Sequence, residues 1–319
     1  MTAAVADSAT VTGATDVAIT ATNAHRAEST ARMGATGGSV ALTPAVATTR
    51  STATTLARLG SGATLETSGA VTIEAEQAAT VGATSEGSAA GGTAGVGLSL
   101  ALVLADLRAT ARLDRDVDAD GDVRIAATGT ADLDASATAS ASGAPGASSG
   151  GAGGDGVDQA IMKERDHADP GGSQSGATPS ASTSQGGVAV AAAVGVIVGT
   201  STAEVLIGSG ATTIDGAAVT IAAAGQTDAD ASADGSSVTP GAAGVAAAVA
   251  LVGLDTVTRA VLPVGTTVTA DSLAITAGVA AGGDGVSVVR ADASAGAGAG
   301  SVSVAGSVAI VLLDSVTEA

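Results

Sequence analysis

The chain has 319 residues, of which 46 are Gly and none is Cys, Phe, Tyr or Trp, and its formal net charge is −19. Without cysteine it forms neither disulfides nor thiolate metal sites. Only 12 Lys and Arg stand against 31 Asp and Glu, and stacking aromatics are missing, so nucleic acid is excluded as a partner. The 45% hydrophobic content still predicts a folded protein, with a narrow Ala- and Val-rich core.

One pattern, apolar-x-apolar-x-Ala, recurs along the chain. It opens at Val17, Val71, Val123, Val219 and Leu273. The spacings are 54, 52, 96 and 54, and removing the 44 residues of segment 143–186 from the third leaves 52. The sequence therefore predicts about five units of about 54 residues.

Each unit begins with a strand of period 2. In the third unit Val123, Ile125 and Leu133 alternate with polar residues, which predicts one buried and one wet face. A Gly-rich turn leads to a second strand, such as 95–107, that is apolar on both faces and is expected to be covered on both sides. A Thr-rich return then reaches the next unit. The pattern predicts roughly three strands per unit.

A single unit buries mainly Ala and Val, whereas ordering it costs about 1.5 kcal/mol per residue, so neighbouring units must share a core. The predicted fold is therefore all-β, a repetitive β-solenoid resembling a β-helix. Its units occupy residues 1–142 and continue as the same array over residues 187–319. The partners of each unit are the neighbouring repeats of this chain or of a longer one. The two ends share one phase and no polar cap closes either, which predicts a segment of a longer array.

Segment 143–186 is rich in Gly, Ser and Pro and contains the only lysine, Lys163. This composition predicts a flexible insertion loop that projects from one unit. A helix-compatible stretch, 157–167, lies in its middle. Two readings stay open: a loop that carries a partner or protease site, and an inert excursion.

The longest apolar run, 186–199, has 14 residues and is too short to span a bilayer, which predicts no membrane insertion. The first residues lack the basic and apolar regions of a signal peptide. An exported parent protein would therefore carry its signal elsewhere.

The sharpest local signal is the stretch DRDVDADGDV. It places carboxylates at alternate positions, Asp116, Asp118, Asp120 and Asp122. Alternating oxygen ligands suit Ca²⁺, which is the only cofactor that the sequence suggests. However, Ala127 stands where a calcium loop would close with Glu. The alternative is a solvated acidic turn between strands.

Other chemically capable residues are few. Asp228, Asp230 and Asp234 are expected on the wet face of a strand, where paired carboxylates allow acid–base chemistry in principle but no aromatic or cationic wall is available for a substrate. The two histidines, His25 and His167, have no plausible triad nearby. We therefore expect no enzymatic activity.

Two stretches, 186–199 and 202–224, resemble repeats of very large bacterial surface adhesins of the filamentous haemagglutinin and autotransporter type. The resemblance implies a parallel β-solenoid stalk on an extracellular or cell-surface protein that contributes to attachment. It implies no catalytic residues. Host-cell or surface glycans or proteins would be bound through other regions of the parent protein.

These observations predict a non-enzymatic, structural stalk segment of a large secreted or cell-surface adhesin-like protein. The alternative is a calcium-regulated or carbohydrate-binding or carbohydrate-processing module on the same scaffold, with Asp116, Asp118, Asp120 and Asp122 at its centre.

Overall fold

The computed structural model describes residues 1–142, 187–238, 243–280 and 284–319. Within these ranges all regular structure is β-strand, so the predicted all-β class is confirmed. The predicted insertion at 143–186 lies outside the described residues. The strands are β1 (Thr2–Val5), β2 (Val17–Gly37), β3 (Val40–Leu59), β4 (Leu65–Thr67), β5 (Val71–Gly91), β6 (Ala94–Leu113), β7 (Val117–Ala119), β8 (Val123–Ser142), β9 (Val188–Ile207), β10 (Thr213–Val238), β11 (Ala243–Ala260), β12 (Thr267–Gly278), β13 (Val289–Gly298) and β14 (Val302–Glu318).

The strands form two parallel sheets, and the chain alternates between them. The six-stranded sheet has the order β1-β3-β6-β9-β11-β14. The eight-stranded sheet follows β2-β5-β8-β10-β7-β4, with β12 and β13 also paired to β10. Strands away from the sheet edges therefore hydrogen-bond to their counterparts in the units before and after them, and no unit completes a sheet by itself.

The register of the eight-stranded sheet follows the repeat predicted from the sequence. Val17 pairs with Val71, Val71 with Val123, Val123 with Val219, and Val219 with Leu273. These pairings include the long third spacing, so β8 pairs directly with β10 across the segment between them. The alignment of the units in the sequence is thus the alignment of their strands in space.

The division of a unit into strands differs from the prediction. A typical unit has two strands of 20 or 21 residues, such as β5 and β6, and one strand of three residues, such as β7. The Thr-rich return section continues the second strand instead of forming a third long one. In the last unit the counterpart of β10 is broken into β12 and β13, which pair with different parts of β10.

The interior between the two sheets is as thin as the small residues predict. A Cβ added at Gly97 would overlap the carbonyl oxygen of Ser140 on the facing sheet, and one added at Gly235 would overlap that of Ala247. The backbones of the two sheets therefore touch at these points, an approach that only glycine permits.

The buried apolar residues form two clusters that run from unit to unit. One contains Val81, Val103, Leu133 and Ile197 among many alanines, and the other contains Ile73, Ile125 and Ile221. Polar side chains lie buried in the same interior; Thr55 donates a hydrogen bond to the Gln77 side-chain oxygen at 3.1 Å. The core is thus shared along the stack and does not belong to single units.

The second strand of each unit departs from the expectation that both of its faces are covered. In β6 the inward residues are buried, but the outward residues are half-buried or exposed. In β9 the outward residues Val188 and Val198 are likewise exposed. The apolar residues on this side are an open surface of the described structure.

Among the described residues there is no helix of sufficient length and hydropathy to cross a bilayer.

Candidate functional site

The four carboxylates predicted to bind calcium lie around the short strand β7. Asp116 precedes β7, Asp118 lies on it, and Asp120 and Asp122 follow it in the turn that leads to β8. Two of the four accept hydrogen bonds from the next unit. Asp116 Oδ1 accepts from the backbone N–H groups of Thr212 and Thr213, at 2.7 and 2.8 Å.

These contacts give Asp116 a structural partner. Burial by itself would raise the pKa of the Asp116 carboxyl, but hydrogen bonds from Thr213 and Thr212 outweigh it, so the pKa lies below its usual value. A lowered carboxyl pKa means that the folded state favours the charged form. Asp116 therefore links consecutive units most strongly when it is ionised, and this contribution is lost as the pH falls below the usual aspartate range.

The same contact recurs at other turns. Asp122 Oδ1 accepts a hydrogen bond from the Ala218 N–H at 3.2 Å, and Asp16 Oδ1 accepts one from the Ala70 N–H at 2.8 Å. Asp7 binds the Ser61 N–H in the next unit in the same way, at 2.9 Å. Carboxylates at these turns thus satisfy backbone donors of the following unit, which the strand ladder leaves unpaired there.

Asp118 and Asp120 occupy a different place. With Glu66 of β4 they line a shallow, open depression of about 340 Å³ beside Gly13 and Ser68. In the part of the chain that the structure describes, no group of three or more His, Asp or Glu side chains is arranged to hold a metal ion. The calcium site at Asp116, Asp118, Asp120 and Asp122 therefore stays a prediction.

A buried arginine lies next to these carboxylates and was missed in the sequence. The Arg115 side chain is 1% exposed. Its guanidinium donates to the backbone oxygens of Gly60, Ala9 and Ser61, the second at 2.8 Å and the third at 3.2 Å. It thereby ties turns of the first two units to the third. The motif read as an acidic run thus also contains a cation that holds the turns together.

The second acidic set lies on the outer face of the eight-stranded sheet. Asp228, Asp230 and Asp234 point outward, while the alanines between them are buried. Pairing of β10 with β8 places Asp228 beside Asp132 and Asp230 beside Asp134. Sequence reasoning placed each set on a wet face but missed that the register brings the two sets together, although the spacing of 96 residues contains this information.

The crowding of these carboxylates changes their titration. Desolvation, followed by repulsion from neighbouring carboxylates of which Asp230 is the strongest, raises the pKa of Asp134 to about 6, although its side chain remains exposed. Burial raises the pKa of Asp234 to about 6 as well. Desolvation also raises the pKa of Asp230, although Arg290 opposes the shift. Asp134 and Asp234 therefore take up protons just below neutral pH.

A depression of about 520 Å³ lies at one end of this acidic set. Arg26, Thr80, Asp132 and Asp228 contribute to its lining. At its edge the Gln226 amide donates to Asp284 Oδ1 at 2.9 Å and to the Val286 carbonyl at 3.0 Å, which fastens the stretch before β13 to β10. The depression is open and alanines contribute much of its lining, and the chain contains no aromatic residue that would form a stacking wall for a sugar.

Of the two histidines the structure describes His25, which contributes to the lining of the depression of about 520 Å³. The His25 side chain points into the interior, where Nε2 shares a 2.8 Å hydrogen bond with Ser51 Oγ. This contact bridges β2 and β3 of one unit. His167 lies outside the described residues.

Comparison with known proteins gives no relative for this chain. No family model, no curated protein and no solved structure matches it.

Proposed function

We propose that this chain is a β-solenoid stalk segment of a large secreted or cell-surface adhesin-like protein, and that it acts without catalysis. The observation that carries the proposal is the in-register parallel pairing of every long strand with its counterpart in the neighbouring unit. The resemblance of residues 186–199 and 202–224 to adhesin repeats supports the same function.

The backbone hydrogen bonds between parallel strands explain how such a segment resists unfolding. The strand β9 pairs along its whole length with β6, and from its first residue nearly to its end with β11. Contacts of side chains, such as Asp16 with the Ala70 N–H, reinforce the ladder at the turns. Opening one unit therefore exposes the backbone and the Ala-rich core of its two neighbours, and stability accumulates with the number of units.

The exterior suits a crowded surface. The net charge of −19 limits non-specific adsorption. Attachment to host-cell or surface glycans or proteins belongs, in this proposal, to other regions of the parent protein. The stalk segment positions those regions.

Labelling of intact cells tests the location. Antibodies raised against residues 1–142 should bind intact cells that produce the natural protein, and added protease should remove the signal. Labelling that requires permeabilised cells would contradict the proposal. An antibody against a cytoplasmic protein of the same cells serves as the control for intactness.

The second candidate function is a calcium-regulated module, as the sequence predicts. Glu66, Asp118 and Asp120 line one open depression, and oxygen ligands suit Ca²⁺, but the described carboxylates do not form a group of three that could hold an ion. Scanning calorimetry with and without millimolar calcium separates the two functions, because a bound ion raises the melting temperature of the folded state. A purely structural segment should show no change. A rise that disappears in the Asp118→Asn, Asp120→Asn double variant, but persists in Asp292→Asn, would favour the calcium module.

A further inference from the structure

The outward side of the six-stranded sheet carries a continuous apolar surface over about half of each strand. We call this surface the apolar outer face. Its members are the outward-pointing residues within Val40–Val46 of β3, Val96–Leu104 of β6, Val188–Val198 of β9, Val245–Leu251 of β11 and Val302–Leu312 of β14.

In this half of the sheet the larger apolar side chains point away from the core. On β6 the inward residues include Gly95, Gly97 and Ala101, whereas Leu98 and Leu100 point outward. Leu98 is 36% exposed and Val198 of β9 is 47% exposed, although each lies on a strand with neighbours on both sides. Beside Gly95 and Gly97 the interior is too thin for leucine, so the hydrophobic surface of these strands faces outward, where no described residue covers it.

The apolar outer face ends at a sharp polar boundary. One row across the sheet consists of polar residues: Thr52, Asp106, Thr200, Asp255 and Asp314. On the apolar side of this row, the parts of β6, β9, β11 and β14 within the face contain no charged side chain. Such a division along each strand is not expected for a surface that simply contacts water.

The size of the face matches that of a specific protein interface. Five strands at about 4.8 Å spacing and on average about nine residues at about 3.3 Å each give a face of roughly 24 by 30 Å, or about 700 Å². The largest apolar patch of a typical monomer is about 300–600 Å². A standard interface buries about 800 Å² on each partner, so this one face is large enough for a stable dimer.

We propose that the apolar outer face binds the same face of a second copy of this chain, so that two six-stranded sheets pack face to face. A second copy offers an uncharged apolar surface of the same extent, and stacked sheets pack at about 10 Å with interdigitating side chains. The inference goes beyond the stalk function and does not depend on it.

The charges of the molecule permit this association. Outside the apolar outer face, the outward side of the six-stranded sheet has five arginines and five carboxylates. They are Arg50, Arg58, Arg108, Arg112 and Arg259, and Asp106, Glu204, Asp255, Asp314 and Glu318. The two approaching surfaces are thus balanced in charge. The acidic side of each copy, on the eight-stranded sheet, would point away from the partner, where it adds little repulsion.

Sedimentation velocity over a range of protein concentration tests the proposal, with the double variant Leu100→Lys, Leu251→Lys. Both side chains point outward on separate strands, β6 and β11, so the substitutions leave the core unchanged. The natural sequence should be dimeric at micromolar concentration. Two lysines buried in the interface of each copy should raise the dimer dissociation constant more than about 100-fold.

A matched control places two lysines on the opposite side of the molecule, as Thr20→Lys, Thr128→Lys on the eight-stranded sheet. This variant should remain dimeric, and far-ultraviolet circular dichroism should show the same strand content for all three proteins. A natural sequence that stays monomeric up to millimolar concentration would overturn the proposal. Dimers that persist in the Leu100→Lys, Leu251→Lys variant would also overturn it, because they would form through the strand edges.

A bilayer is the main competing occupant of an uncharged apolar surface. Flotation with vesicles of phosphatidylcholine distinguishes it. A face that binds a second copy should leave the protein in the aqueous fraction, whereas a monomer that floats with the vesicles would replace the proposed dimer by membrane association.

Discussion

The outer faces of the two sheets share one interior but differ in composition. The eight-stranded sheet, over β2, β5, β8, β13 and residues 219–238 of β10, has four outward arginines and ten outward carboxylates. They are Arg26, Arg32, Arg124 and Arg290, and Glu28, Glu74, Glu76, Glu86, Asp132, Asp134, Asp228, Asp230, Asp234 and Asp292. The six-stranded sheet is balanced in charge and half apolar. This difference shows that packing between the two sheets restricts which residues can point inward. The outward residues are not restricted in this way, so the outer faces of the two sheets can differ.

The largest expected effect on stability comes from widening the narrow interior between the two sheets. In Gly97→Ala the added Cβ would overlap the Ser140 carbonyl oxygen, and backbone atoms on both sheets would have to move apart. We expect the free energy of unfolding to fall by about 3 kcal/mol or more, because overpacking here is relieved only by shifting the ladder. Urea unfolding followed by circular dichroism measures the change.

Gly253→Ala is the matched control, on the outward side of the same sheet. The nearest atom to its added Cβ is the Ile197 carbonyl oxygen at 4.0 Å, so this substitution should change the free energy of unfolding by less than about 0.5 kcal/mol. Equal effects at both positions would show that the sheets do not approach as closely as described.

A smaller effect on stability distinguishes the carboxylates on the outer face of the eight-stranded sheet, such as Asp234, from those at the turns, such as Asp116. The folded-state pKa of Asp234 is about 6, above the usual value of 3.8, so the folded protein holds this proton more tightly than the unfolded chain does. The contribution of Asp234 to stability is complete below about pH 4 and is lost as the pH rises through about 6. Asp234→Asn should therefore raise the melting temperature at pH 7 by roughly 2 °C and flatten its dependence on pH between 4 and 6.

The sign is opposite for Asp116, whose lowered pKa makes its contribution complete above the usual aspartate range and lost in acid. Asp292→Asn serves as the control for Asp234, since the Asp292 side chain is 69% exposed on the same outer face. A melting temperature of Asp234→Asn that is lower at pH 7 than that of the natural sequence would contradict the assignment of Asp234 as a desolvated group.

Much of the fold could be predicted from the sequence because the same strand pattern recurs in it at a nearly constant spacing. The recurring Val-x-Ile pattern gave the pairing of Val71 with Val123 and of Val123 with Val219. Alternation of Ala with Asp correctly placed Asp228 and Asp230 on a wet face. Such patterns report the inward side reliably, since a register shift of one residue would bury every aspartate of the strand.

The open face could not be predicted in the same way. When both sides of a strand are apolar, as in β6, the sequence pattern is the same whether the outer side is covered or exposed. Only side-chain size distinguishes the two sides of β6, with Gly95 and Gly97 inward and Leu98 and Leu100 outward. Read alone, this signal suggests that leucine marks the core, and here that interpretation is wrong.

The candidate site shows a different limit of sequence reasoning. A carboxylate oxygen accepts a backbone N–H or binds Ca²⁺ with the same lone pairs, so alternating aspartates indicate either use. The contacts of Asp116 and Asp122 with the following unit depend on the positions of Thr212 and Ala218, which are 96 residues away. A useful signal was the aspartate at the equivalent turn of the first unit, Asp16, which makes the same contact.

The length of the strands has a mechanical consequence. A strand of 20 residues, such as β6, spans about 66 Å, whereas each further unit of about 54 residues extends the stack by only about 4.8 Å. An array built this way is wide along its strands and thin between its sheets. It therefore bends far more easily across its thin dimension than within the plane of its sheets. The stack lengthens by one ångström for about every 11 residues. Each further unit adds a row of hydrogen bonds along the full length of its strands, and under shear the bonds of one row must break together.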